Sequence, residues 1–374
     1  MTDLTLGFFL FQILLVCLKL KCGFQTALFT VLLTLIMEVE IMAIGDVKKR
    51  VLVTGGCGFI GSRLVYALLQ KGCRVRVLDV RLGRLEGETN KNLEFMGIGS
   101  NELRGGMADK AFVEQAVKDI DVIYHLAFNW DALTWTHVLP LADLFDVNIR
   151  GTLNLLEAAK IHGVRHFLFS SSCAVYGKAD SLIMDEEAVC KPELWRGDPG
   201  PAYGILKLTI EKLCLMYYHQ HGLPSTTFRI EVVFDDDEAW LLRRETVKKM
   251  LKGEPIEVVE SDGVASIHVD EVVRAFLLAT LNEKAYGQVF NLLNPATYIS
   301  YRELYQFIIR LIGSKSEVKL VTGPTRISYT LESIEKIRRM LGWKPQKNKE
   351  DLKWAIAQSA RSSFDHLLAH SNDL

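Results

Sequence analysis

The run Val51-Leu52-Val53-Thr54-Gly55-Gly56-Cys57-Gly58-Phe59-Ile60-Gly61-Ser62 decides the fold. Val51–Val53 is a short, continuous apolar stretch that reads as a buried strand. It breaks into glycines, and from Phe59 to Gln70 apolar residues recur at helical spacing. Gly55, Gly58 and Gly61 let the chain turn tightly, come close to a phosphate and pack the new helix against the strand. The free N–H groups and the dipole at the helix start then favour an anion. With a strand before it and a helix after it, this triplet reads as the phosphate loop of a dinucleotide-binding unit.

Outward from the loop, Val75-Arg76-Val77-Leu78 is a second strand, and Asp79 closes it 18 residues after Gly61. A carboxylate there accepts hydrogen bonds from an adenine-ribose diol and repels a 2′-phosphate, which favours NAD over NADP. Arg81 and Arg84 read as solvated loop arginines; as 2′-phosphate ligands they would favour NADP instead. Val122–His125 and His166–Phe169 are further strands, and Leu153–Lys160 is helical. This alternation predicts an α/β protein, a Rossmann-type doubly wound parallel sheet with helices on both faces. Beyond Glu231 the rhythm loosens into short strands (Ile256–Val259, Val289–Leu292) and helices (Val269–Leu281, Tyr301–Ile312, Leu331–Leu341). The expected organisation is a Rossmann domain over 46–230. Residues 231–374 are mainly a smaller C-terminal α/β substrate lobe, with some segments returning to the first domain.

A second constellation carries chemistry. Ser170-Ser171-Ser172 ends a strand, and Tyr203 and Lys207 open a helix about 30 residues later. Four residues apart, Tyr203 and Lys207 share a helix face. An ammonium near a phenol favours phenolate, and a serine hydroxyl can bond the reacting oxygen. Such a set removes a proton from a secondary alcohol while hydride leaves its carbon. His125 and His268, on strand ends among apolar neighbours, read as structural, as does Asn148.

These pieces, with Gly106–Asp109, His125-Leu126-Ala127, Asn148–Thr152, Ser170–Gly177, Ile267–Asp270 and Leu341-Gly342-Trp343, resemble the extended short-chain dehydrogenase/reductase family. The likeness is to its nucleotide-sugar epimerase/dehydratase branch, in order and spacing, from about residue 50 to 343. The resemblance implies an enzyme with catalytic Ser172, Tyr203 and Lys207. It implies NAD held by Gly55, Gly58, Phe59, Ile60, Gly61 and Asp79, with Asp109 near the adenine and Ala127 near the pyrophosphate-ribose. Tyr203 and Lys207 would also face the cofactor, Lys207 through the nicotinamide ribose. It further implies a homodimer joined through the helices near Val147–His162 and Tyr203–His221, where Leu208, Leu215 and Met216 suit either seam or core. No metal is implied.

In this branch the 4,6-dehydratases carry Thr-Asp-Glu after the serine run, whereas this chain has Ser172-Cys173-Ala174, with no carboxylate to assist elimination. That resembles the 4-epimerases: C4 oxidation by hydride transfer to NAD, rotation of the keto intermediate, and re-reduction. The alternatives are an NAD(P)-dependent dehydrogenase/reductase acting on another hydroxylated substrate, and a non-catalytic NAD-binding scaffold. The family's Arg-x-x-Asn-x-Tyr-Gly-Pro segment departs here to Arg229-Ile230-Glu231-Val232-Val233-Phe234-Asp235-Asp236, so Val232 replaces the usual nucleotide-sugar contact. Val264 replaces a diphosphate arginine, for which Arg326 is a candidate substitute, and Asp235–Asp237 would repel a diphosphate that they faced.

The 374 residues carry a net charge of −1, which gives no reason to expect a nucleic-acid partner. Seven cysteines without CxxC spacing fit a reducing compartment, read as cytoplasmic. Residues 1–45 hold only Asp3, Glu38, Glu40, Lys19 and Lys21 as charges, and their uncharged runs Leu4–Leu18 and Cys22–Met37 are each shorter than a spanning helix. This apolar extension reads as a membrane anchor, a partner-binding arm, or a stretch ahead of a true start at Met42.

Overall fold

Val51, Leu52 and Val53 are apolar without alternation, the pattern of a strand covered on both faces. In the computed structural model they lie in the middle of a seven-stranded sheet. The structure describes residues 49–99, 106–129, 141–177, 183–195, 200–239, 244–260, 262–322 and 331–369. Both uncharged runs of the N-terminal extension, Met42 and Arg326 lie outside them. From Lys48 onward the chain forms one compact unit.

The sheet strands are β1 (Arg50–Thr54), β2 (Arg74–Leu78), β3 (Leu93–Met96), β4 (Val122–His125), β5 (His166–Ser172), β7 (Ser225–Ile230) and β12 (Gln288–Leu292). The short strand β6 (Ile183–Met184) lies outside the sheet. The order is β3-β2-β1-β4-β5-β7-β12, with every pairing parallel. This is a Rossmann-like doubly wound sheet extended by one strand. Helices α1 (Phe59–Gln70), α2 (Lys110–Val117), α3 (Gly151–Ile161) and α4 (Pro201–His221) connect the strands. One core, including Leu52, Val113, Leu155, Phe167 and Ile210, packs α2, α3 and α4 on the sheet.

After β7 the chain forms shorter pieces: β8 (Val232–Phe234), α5 (Arg244–Leu251), β9 (Ile256–Val259), β10 (Gly263–Val264), β11 (Ser266–His268) and α6 (Val269–Ala279). Beyond β12 follow β13 (Ile299–Ser300), α7 (Tyr301–Ile312), β14 (Val318–Val321), β15 (Leu331–Glu332), α8 (Glu335–Leu341) and α9 (Lys349–Ala369). A second apolar cluster, with Phe234, Ile256, Ile299, Leu304 and Ile356, belongs wholly to this part. Yet the Phe276 ring of α6 packs tilted against Tyr124 and Phe228 of the sheet, and β12 extends the sheet itself.

Two sequence expectations shift. Leu331–Leu341 is not one helix: Leu331–Glu332 pairs with β6, and the helix starts only at Glu335. The α6 helix stops at Ala279, two residues early, because Leu281 takes φ +54° and its N–H binds His166 Nδ1 at 3.0 Å.

A buried ion pair joins the main layers. Arg229 on β7 and Glu211 on α4 meet at 2.9 Å, with side chains 3% and 0% exposed. Ser171 of β5 donates to Glu211 at 2.5 Å, and Arg229 Nη1 donates to the Tyr176 hydroxyl at 2.9 Å. Glu211→Gln strands the guanidinium without its countercharge, and such a break in a buried pair costs about 3–5 kcal/mol. Urea unfolding is expected to show that loss with an unchanged m-value.

Candidate active site

Strands β1 and β4 are neighbours, but β1 leads to β2 on one side and β4 to β5 on the other. Their C-terminal ends, Thr54 and His125, therefore flank the crevice where open α/β sheets take ligands. A cleft opens there, lined among others by Gly55, Asp79, Met107, His125, Ala127 and Asn148.

The glycine loop is built for close approach. Gly55 has φ +69°, and a Cβ on it would stand 2.7 Å from the Ala127 nitrogen; one on Gly61 would stand 2.1 Å from the Gly55 carbonyl. Gly58 caps α1 without a side-chain hydrogen bond, so the N–H groups at Phe59 and Ile60 begin a helix whose dipole favours an anion. Asp79 accepts the Cys57 N–H at 2.9 Å and the Val80 N–H at 2.8 Å, which fixes its carboxylate beside the loop. Each of its oxygens keeps acceptor capacity for a diol. Arg84 is bound to Glu238 and covers the Phe59 ring at 4.9 Å. Asp109 caps α2 by accepting the Phe112 N–H at 3.1 Å, while Gly106 and Met107 of the same turn line the cleft.

Ser172, Tyr203 and Lys207 come together at the end of β5 and the start of α4. Ser172 Oγ accepts the Ala174 N–H at 3.2 Å. Lys207 donates to the Ser170 carbonyl at 2.7 Å, lies 4.3 Å from the Phe128 ring centre and 5.6 Å from that of Tyr203. Phe128 meets Tyr203 edge-on at 5.2 Å. Burial pushes Tyr203 up to about 12, with the Ser172 hydrogen bond pulling the other way. Burial also pushes Lys207 down to about 7, against the charge of Glu211. The expected lowering of Tyr203 is thus reversed in this geometry, because desolvation outweighs the Ser172 hydrogen bond.

His125 and Asn148 hold backbone in place. Thr152 Oγ1 donates to the Asn148 carbonyl at 2.5 Å, so it can only accept from His125 Nε2 at 2.9 Å. Thr54 then donates to Nδ1 at 2.8 Å and accepts the Ala127 N–H at 3.2 Å. Burial, with Lys207 second, drops His125 to about 3, which keeps the ring neutral. Asn148 accepts the Asn129 N–H at 2.9 Å and donates back to its carbonyl at 3.1 Å. His268 caps α6, accepting the Asp270 N–H at 3.2 Å.

Of the acidic turn, Asp235 is buried and held by Arg63 at 2.5 Å, and Asp236 meets Lys347 at 3.2 Å; Asp237 is exposed. The structure also assembles a group that sequence reading missed. Cys173, Glu231 and Glu332, all buried, each place a side-chain S or O atom within 4.8 Å of the others. They come from three distant segments, and no sequence pattern joins them.

A doubly wound sheet with a glycine cradle and a Ser-Tyr-Lys set defines a class of dinucleotide-dependent enzymes. The chain belongs to the NAD dependent epimerase/dehydratase family, whose pattern matches residues 51–292. It is 28% identical to a UDP-N-acetyl-alpha-D-glucosaminuronate decarboxylase of Bacillus cytotoxicus over 82% of this chain and 98% of that protein. A UDP-glucose 4-epimerase 2 of Oryza sativa subsp. japonica is 36% identical over 49% of this chain and 43% of its own. The UDP-glucose 4-epimerase of Thermotoga maritima, solved with UDP-glucose, superimposes with a TM-score of 0.66 at 25% identity, covering 84% of this chain and 99% of that one. Among the described residues, no helix is long and apolar enough to cross a membrane.

Two predictions follow from the geometry. Gly61→Ala forces its methyl into the Gly55 carbonyl, so calorimetric titration is expected to show NAD binding weakened at least about tenfold. Lys207 has a depressed folded-state pKa, so between about pH 7 and its unfolded value the unfolded chain binds more protons and stability rises with pH. Urea midpoints across that window are expected to show the rise in the parent and its loss in Lys207→Met.

Proposed function

We propose that this chain is an NAD-dependent nucleotide-sugar 4-epimerase. The observation that carries the reading is the placement of Tyr203 and Lys207 on one turn of α4 at the end of β5, where Lys207 donates to the Ser170 carbonyl, beside a cleft in which Gly55 and Gly61 admit no side chain. The cradle fits a dinucleotide. Gly55, Gly58, Phe59, Ile60 and Gly61 would hold the pyrophosphate, Asp79 the adenine ribose, Asp109 the adenine side and Ala127 the pyrophosphate-ribose. The commitment of Arg84 to Glu238 favours NAD over NADP. When bound, NAD supplies a hydride acceptor that also returns the hydride.

The chain's own residues then handle the proton. Tyr203 takes it from the C4 hydroxyl and later gives it back, the Ser172 hydroxyl orients the reacting oxygen, and Lys207 supplies positive charge and the ribose contact. Neutral His125 keeps the Ala127 backbone in place. The second lobe, from residue 231, would hold the nucleotide-sugar; Arg63 neutralises Asp235 in its first turn, which weakens the repulsion a diphosphate would meet. The exposed apolar side chains Ile161, Ile205 and Met216 support a homodimer through α3 and α4.

The test mixes purified protein and NAD with a panel of nucleotide-sugars and follows C4 inversion. Inversion without net NADH release is expected, and Tyr203→Phe is expected to lose about 10²–10⁴ in rate while still binding NAD. Stoichiometric NADH release would favour the dehydrogenase reading, and no reaction across the panel would remove the epimerase.

A further inference from the structure

The segment that ends in Tyr-Gly-Pro in the family ends here in Phe234-Asp235-Asp236-Asp237-Glu238, so an acidic turn stands where Gly-Pro would. Its backbone closes on itself, the Asp235 N–H donating to the Glu238 carbonyl at 2.8 Å. Buried Asp235 accepts from Arg63 Nε at 3.1 Å, and Asp236 meets Lys347 at 3.2 Å. Arg63 belongs to α1, two residues past Gly61. At the far end of the turn Glu238 pairs with Arg84, from the loop after β2 and 154 residues away in sequence. One turn beyond residue 231 therefore takes an arginine from each flank of the glycine loop.

Arg84 is itself fastened to that loop. Its N–H donates to the Cys57 carbonyl at 3.1 Å, while Asp79 accepts the N–H of the same Cys57 at 2.9 Å. Gly83, at φ +48°, permits the approach, since a Cβ there would stand 2.6 Å from that carbonyl. The Arg84 side chain thus starts one residue's width from the carboxylate that suits an adenine ribose. An arginine so placed is what accommodates a 2′-phosphate, through a planar fork that pairs two of its oxygens. Here that fork is paired with Glu238 and lies 4.9 Å from the Phe59 ring centre.

We propose that Glu238 is a specificity-determining residue for the cofactor: it occupies the Arg84 guanidinium and withholds it from the 2′-phosphate of NADP. Asp235 is the positioning residue, since its bond to Arg63 holds the turn where Glu238 reaches Arg84. This deepens the NAD reading and rests on it. Asp79 opposes the phosphate by direct repulsion, and Glu238 by engaging the phosphate's ligand and adding like charge beside it.

Calorimetric titration of the full chain with NAD and with NADP, without substrate, gives the ratio of the two dissociation constants. Glu238→Gln keeps the shape and removes the charge, and the preference for NAD is expected to fall at least about tenfold, the worth of one charge-assisted hydrogen bond. Glu238→Gln/Arg84→Ala is expected to restore the preference, and Arg84→Ala alone to leave it unmoved. An unmoved ratio in Glu238→Gln would overturn the proposal. So would an equal fall in the double variant, which would assign the effect to the lost negative charge alone. A loss of NADP affinity in Arg84→Ala would also overturn it, because Arg84 would then already hold the phosphate; this arm decides alone if Glu238→Gln does not fold. The ratio is measured without turnover, so absence of C4 inversion on every nucleotide-sugar removes the epimerase reading and leaves the role of Glu238 standing.

Discussion

The buried pair between Arg229 and Glu211 is the constraint on which the site depends. Lys207 lies one helical turn before Glu211 on α4, and Tyr203 one turn before that, so whatever fixes Glu211 fixes both. Ser171 binds the same carboxylate from β5, one residue before Ser172. A single ionic knot therefore sets the distance between the strand that carries the serine and the helix that carries the tyrosine. The pair is costly to desolvate, and a hydrophobic replacement of similar volume often matches such a pair in stability. Its value here is geometric: it holds three elements in one register at the place where small displacements matter most for chemistry.

At the cofactor end the same task is done without charge. His125, Thr54 and Thr152 form a chain in which each hydrogen has one direction to point, and the chain ends on the Ala127 N–H. That backbone is the wall a Cβ at Gly55 would strike. A protonated imidazole would reverse one of these bonds, so burial, by keeping His125 neutral, keeps the wall in place. The loop glycines and the histidine network are thus two halves of one surface, the first making room and the second holding its edge.

How much of this the sequence discloses depends on whether a signal is local. The glycine loop, Asp79 and the Tyr203–Lys207 spacing each lie within a strand–turn–helix or one helical turn, and their pattern was readable. Strand β7, Ser225–Ile230, was not, because it is polar yet buried. Ser225 and Thr226 donate to the carbonyls of Cys214 and Ala285, and Arg229 is paired, so the polarity that hides the strand is satisfied by distant partners. β3 escaped for the opposite reason, being an edge strand only partly covered. The helical period over Leu331–Leu341 misled over its first four residues, the first two of which pair with β6 against helix propensity. Glu231 and Glu332, a hundred residues apart, carry no joint signature at all.

The titratable groups around Ser172 share one bias. Burial raises Tyr203, lowers Lys207 and raises both carboxyls, so each is driven towards its neutral form. A proton moving between a phenol and a sugar hydroxyl then changes charge in a pocket that holds little of it beforehand. Such a site gains from any opposite charge placed nearby, since low polarity magnifies each one. Lys207, one helical turn after Tyr203, is the positive member of that balance. The absence of a carboxylate at Cys173 and Ala174 still leaves Cys173 with two buried acidic neighbours, Glu231 and Glu332. The fold brings them there from the residue after β7 and from the end of β15.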